Sequence, residues 1–226
     1  MRILSSILFL SILFSCKNQI SDEVEVFENT LGKKYSDVLT DVVQRFEKEL
    51  VRLYPNSDIK ESYKELIGEI VDWNHDDYKP FGRFDTSLIR MQIDRFRDTG
   101  FEKELFLKPS YVGMRDGKLT IRRQYINDKH DTILVSDEGV ISLDLNTMNL
   151  DSFINEEYKV LEYNKHGLYH QALCNINSQD SLIISYLDSK DWGYPGRVLN
   201  FRQFQYYNPD FDNYFIKRIF LIEFLY

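Results

Sequence analysis

The chain has 226 residues, with 28 Lys and Arg against 36 Asp and Glu, for a formal charge of −8 at pH 7. At 43 % hydrophobic and 15 % aromatic it carries ample apolar surface for a core, which excludes wholesale disorder. The acidic balance argues against nucleic acid as a partner, because phosphate binding needs a basic patch and counterion release.

The first element is an apolar run from Ile3 to Phe14, broken by Ser5, Ser6 and Ser11 and preceded by Met1-Arg2. A helix over this run would reach only about 18 Å, short of the roughly 30 Å hydrocarbon layer, so residues 1–15 read as a targeting segment rather than a membrane span. The run closes on Leu13-Phe14-Ser15-Cys16. That tetrapeptide resembles the lipobox of bacterial lipoproteins, in which a branched apolar residue, a tolerant position and a small residue precede a Cys that is lipidated and becomes residue one. The resemblance implies a diacylglyceryl thioether and a further acyl chain on Cys16, the lipid bilayer as partner, and a place in the cell envelope at the outer membrane, facing the periplasm or the surface. Two or three acyl chains hold a protein to lipid almost permanently, whereas one binds marginally. Loss of residues 1–15 removes Arg2 and no acid, leaving 27 bases, 36 acids and a formal charge of −9.

Lys17 to Thr30 is polar and acidic (Asp22, Glu23, Glu25, Glu28), so residues 16–30 are expected to form a tether and residues 31–226 a single globular domain. From Leu31 the apolar residues Tyr35, Val38, Leu39, Val42, Val43, Phe46, Leu50 and Leu53 recur at helical steps until Pro55. Asp58-Ile59-Lys60-Glu61 reads as a capping box for a second helix through Tyr63, Leu66, Ile67 and Ile70, and the short link makes the pair an antiparallel hairpin. Asp85-Thr86-Ser87 caps a third helix that stops at Gly100.

After Pro109 the pattern turns to strands. Tyr111–Arg115 and Lys118–Ile126 flank Asp116-Gly117, a turn that suits strand twist, and Thr132–Ser136 and Val140–Leu145 flank Asp137-Glu138-Gly139 as a second expected hairpin. Tyr158–Tyr163 is expected to add a strand. Asp180 caps a turn through Leu182, Ile183 and Tyr186, and Pro195 stands where a further helix would begin. The tail from Tyr214 to Phe224 reads as helix in preference to strand, from the row Phe215, Ile216, Ile219, Phe220 and Glu223. The fold class is α+β with helix dominant: an N-terminal helical hairpin, a small central antiparallel β-hairpin region and a helical C-terminal part. Leu31-Gly32 through Phe46-Glu47 and Leu50, Gly167 to Leu173, and Asp212 to Ile219 also resemble a group of uncharacterised predicted lipoproteins from flavobacteria and related Bacteroidota. That resemblance implies an origin and no activity.

Several constellations carry chemistry in principle. Asp72-Trp73-Asn74-His75-Asp76-Asp77 gathers His75 with the carboxylates Asp72, Asp76 and Asp77, the arrangement of a general base oriented by an acid, though a solvated loop after a helix has the same composition. His166 and His170 stand at the i, i+4 spacing of a metal pair, but Gly167 between them reads as a helix boundary, which favours surface or capping histidines. Asn208 to Asn213 alternates oxygens like a calcium loop without its glycine or its closing Glu. Cys174, the one Cys besides Cys16, sits among apolar neighbours and reads as a small buried hydrophobe. Trp192, Tyr194, Phe201, Phe204, Tyr206, Tyr207, Phe211 and Tyr214 crowd the last stretch and suit either a core or a carbohydrate- or peptide-binding platform.

Gly-rich phosphate loops and nucleophile or zinc motifs are absent from the sequence, and no cofactor is expected. The reading is of a membrane-anchored, non-enzymatic binding domain with an envelope protein as candidate partner. The alternatives are a small envelope hydrolase using Asp72, His75 and Asp77, and an immunity-type lipoprotein that binds a periplasmic toxin.

Overall fold

A computed structural model describes residues 22–72, 83–115, 118–127, 130–140, 149–191 and 197–226. It is α+β and helix-dominant, as expected. Two compact units divide the chain: residues 1–99 with 171–226, and residues 100–170. Among the described residues no helix is long and apolar enough to cross a membrane.

The larger unit is helical. Its first helix, α1, covers residues 22–31 and ends at Gly32, whose φ of 81° lies in the left-handed region that only glycine adopts without strain. The expected tether therefore extends too far. Phe27 and Leu31 are fully buried, and Phe27 meets the rings of Tyr214 and Phe215 at 5.9 and 5.5 Å, so residues 22–30 belong to the fold. Of the acidic residues that suggest a tether, Asp22 and Glu25 are exposed, while Glu28 is half-buried and accepts from the Tyr214 hydroxyl at 2.6 Å.

Next come α2 (Lys33–Leu53) and α3 (Ile59–Val71), the expected hairpin. Its apolar stripe is buried from Val38 to Leu50, and Asp58 caps α3 by accepting from the Glu61 N–H at 2.9 Å. Helix α4 (Thr86–Thr99) is capped by Asp85, whose Oδ1 accepts from the Ser87 N–H at 2.8 Å.

The smaller unit opens with α5 (Glu102–Leu105), β1 (Phe106–Leu107), β2 (Pro109–Arg115), β3 (Lys118–Ile126) and β4 (Thr132–Val140). Here the second expected hairpin fails. β4 runs unbroken through Asp137-Glu138-Gly139, because each of these residues is paired across to β3 (Asp137 with Ile121, Glu138 with Thr120, Gly139 with Leu119). The reversal lies earlier, where Asn127 Oδ1 accepts from the Asp131 N–H at 2.8 Å and His130 takes φ 65°. One three-stranded meander, β2-β3-β4, results. Then follow α6 (Leu150–Glu157), which the sequence reading lacks, and β5 (Glu162–Tyr163), antiparallel to β1.

Helix α7 (Leu168–Asn175) carries the chain back into the helical unit, followed by α8 (Ser181–Asp191), α9 (Arg197–Tyr207) and α10 (Tyr214–Leu225). α10 is helix, as preferred for the tail, and is buried almost all round, from Phe215 to Leu225 with only Lys217 excepted. Phe220 at its middle meets the rings of Phe46, Tyr63, Phe201, Phe204, Phe211 and Phe224 at centroid distances of 5.0 to 6.2 Å. Each phenylalanine so buried contributes about 1.5–3 kcal/mol relative to an exposed one, and together they make α10 the axis of this unit.

Candidate functional site

The sequence candidates disperse. Cys16, His75, Asp76, Asp77, Trp192 and Tyr194 lie outside the described residues. Asp72 closes α3, its N–H donating to the Gly68 carbonyl at 2.9 Å. His166 is exposed in the turn before α7 and donates its backbone N–H to Asn164 Oδ1 at 3.0 Å. His170 is one turn further on, inside α7, its ring edge-on to Tyr163 at 5.7 Å. Because His166 precedes the helix, the two imidazoles do not share one helical face, and among the described residues no group of three His, Cys, Asp or Glu is placed to hold a metal.

Gly167 has a structural reason. A Cβ there would lie 2.1 Å from the Glu104 carbonyl oxygen, so only glycine permits this approach. The same contact lets the N–H of Leu168 reach the buried Glu104 carboxylate at 3.0 Å, where the Tyr125 hydroxyl also donates at 2.7 Å.

Two further expectations change. Cys174 is exposed, not buried: Ala172, Leu173 and Ile176 form the inward face of this segment, and Cys174 falls off it by helical rotation. In the calcium-like stretch, Asp210 and Asp212 hold Lys60 Nζ at 3.1 and 2.5 Å, while Asn213 caps α10 by accepting from the Phe215 N–H at 2.8 Å. These oxygens are structural ligands of the fold's own donors. The ammonium and the Asp212 N–H together hold the Asp210 carboxyl below the ordinary carboxylate range, the backbone donor contributing most.

The aromatic crowd splits in two. Phe201, Phe204 and Phe211 are core, whereas Tyr206 is 83 % exposed and Tyr207 37 %, their rings in edge contact at 5.0 Å. These two tyrosines rim a cavity of about 360 Å³ on α8 and α9, lined also by Ser185, Ser189, Asn200, Arg202 and Gln203. Helical spacing explains the division, since Phe201 and Phe204 face α10 while Arg202, Gln203, Tyr206 and Tyr207 follow the other side of α9.

Asn200 connects this groove to a buried polar cluster. Its Nδ2 donates to Glu223 Oε2, the Tyr186 hydroxyl donates to Glu223 Oε1 at 2.9 Å, and Lys190 Nζ sits 2.7 Å from the same oxygen. Asn200, Tyr186 and Glu223 are all under one-tenth exposed. Buried charge is tolerated when it is paired and hydrogen-bonded, and Lys190 balances Glu223, so the groove floor carries no net charge from this pair. The larger hollow along α4, about 770 Å³, has no exposed aromatic face among the described residues, and Arg97 reaches its Asp94 at 3.0 Å. The sequence reading names Tyr206 and Tyr207 within a longer aromatic stretch; nothing in the local pattern singles out Ser185, Arg202 or the Glu223 cluster, which tertiary packing assembles.

Comparison with known proteins finds no matching family model, no matching curated protein and no matching solved structure.

Proposed function

We propose that this chain is an envelope lipoprotein, acylated at Cys16, whose helical unit serves as a binding module for a component of the cell envelope. The observation that carries the anchor is Leu13-Phe14-Ser15-Cys16 at the end of the apolar run from Ile3. Support for binding over catalysis comes from the groove on α8 and α9, where exposed tyrosine faces stand beside hydroxyl, amide and guanidinium groups and, among the described residues, the lining contains no histidine or carboxylate to serve as a base.

On this reading the anchor is short. Five residues separate Cys16 from Asp22, the first described residue, and the six Cα–Cα steps between the two span at most about 22 Å. The partner is then a component within that distance of the lipid surface plus the depth of the domain itself.

The test is detergent phase partitioning and acyl-chain labelling of the full chain, wild type against Cys16→Ala, followed by crosslinking in the native envelope. Wild type is expected in the detergent phase and labelled, with Cys16→Ala aqueous and unlabelled. Equal partitioning of the two would end the anchor proposal.

A further inference from the structure

We propose that the groove between α8 and α9 is a binding site for an acidic saccharide, with Tyr206 as the stacking face and Arg202 as the partner of the sugar carboxylate. The inference rests on the binding-module reading above and gives it a ligand class.

Three observations lead there. First, Tyr206 is 83 % exposed on a helix whose two phenylalanines are core, and it meets Tyr207 edge-on, leaving ring surface open to solvent. The apolar C–H face of a pyranose stacks on such a ring, which leaves the phenolic hydroxyl for hydrogen bonding. Second, the side chains of Ser185, Arg202 and Gln203 and both tyrosine hydroxyls make no hydrogen bond or ion pair among the described residues, so their donors and acceptors are uncommitted. Hydroxyls and a primary amide are the groups that pair with a polyol. Third, among the described residues Arg202 is the one formal charge lining the groove, in a chain with an excess of eight acids, and the buried Glu223 carboxylate is already matched by Lys190. A guanidinium without an intramolecular carboxylate selects a planar anion, which it binds with two parallel N–H donors.

An extended peptide fits less well, because a strand requires open backbone donors, whereas this lining lies on two regular helices whose backbone donors are used within the helices. The volume, about 360 Å³, is at the small end of ligand sites and suits a short saccharide segment over a protein surface.

The experiment is titration calorimetry of the mature chain against oligogalacturonides, alginate oligosaccharides and chondroitin oligosaccharides, with xylo-, cello- and malto-oligosaccharides as neutral counterparts. At least one acidic series is expected to bind, with Tyr206→Ala weakening it about five- to tenfold and Arg202→Gln abolishing the preference for acidic over neutral sugars. Both positions are solvent-facing, and an unchanged unfolding midpoint certifies that each variant is folded. No binding by any acidic series, or binding that both variants leave unchanged, overturns the proposal. The crosslinking above separates the two failures: a protein captured equally by wild type and Tyr206→Ala removes the saccharide and keeps the binding module, while no partner and no saccharide removes both.

Discussion

Lys190 Nζ lies 2.7 Å from Glu223 Oε1 with 10 % of one side chain and 8 % of the other exposed, deep between α8 and α10. Such a pair is a poor source of net stability, because both ions are desolvated, but breaking it from one side leaves a buried charge poorly compensated. Lys190→Met is therefore expected to cost about 3–5 kcal/mol. The double variant Lys190→Met/Glu223→Gln keeps an acceptor for Tyr186 while discarding both charges, and is expected to recover at least about 1 kcal/mol of that loss. Urea unfolding of the four species in the cycle measures the coupling, and simple additivity would show that the two charges do not act together.

Residues 22–31 make a second prediction, because they stand largely where the sequence suggests a tether and are part of the fold. Deleting residues 1–21 is expected to leave the unfolding midpoint within about 2 °C of that of the chain beginning at Cys16. Phe27→Ala, by contrast, removes a fully buried ring packed on Tyr214 and Phe215 and is expected to cost about 3–5 kcal/mol. A neutral Phe27→Ala would return these residues to the role of a tether.

The contrast between Phe27 and Phe46 shows what the sequence made legible. Phe46 belongs to a run of apolar positions long enough for the helical period to emerge above the charges, and the hairpin of α2 and α3 follows from it. Phe27 and Leu31 stand in a short stretch interleaved with four acids, and it is the burial of both, with the contact of Phe27 on α10, that reveals them as core. Asp137-Glu138-Gly139 misleads for a related reason: its local chemistry favours a turn, but nine consecutive pairings with β3 outweigh that preference. The groove was legible only as an aromatic surplus near the C-terminus. Which rings turn outward is decided by the position of α10, and Arg202 and Ser185 carry no local signature at all.

Glu49 supplies a pH dependence. Arg52 donates to it from Nε at 2.8 Å and Nη2 at 2.5 Å, which holds its carboxyl below the ordinary carboxylate range; burial opposes this, and the Asp85 N–H at 3.3 Å assists. A carboxyl with a depressed folded value contributes stability that is complete above its unfolded value, about 4.3, and is lost as pH falls through the folded one. The wild-type midpoint is expected to fall more steeply than that of Glu49→Gln below about pH 4.5. Asp85, also depressed, through Ser87, keeps some acid sensitivity in the variant. Calorimetric scans from pH 7 to pH 3 decide it, and parallel curves would show that the Arg52 contact contributes nothing in solution.

The last prediction concerns the smaller unit and the only motif there that looked like chemistry. Gly167→Ala would bring a methyl to 2.1 Å from the Glu104 carbonyl oxygen and 2.9 Å from Asn164 Nδ2. Backbone on one side cannot yield as a side-chain tip would, so the turn before α7 must move, and the Leu168 N–H is drawn away from the Glu104 carboxylate that Tyr125 also serves. The expected loss is about 1–3 kcal/mol from overpacking, with a further contribution if the buried carboxylate loses a donor. His166→Ala, one residue away and exposed, is expected to change stability by less than about 0.5 kcal/mol. If chemical denaturation gave the reverse order, the histidine would be the reason for the motif; the order predicted here makes the glycine its structural centre and leaves the imidazoles as neighbours of a close backbone contact.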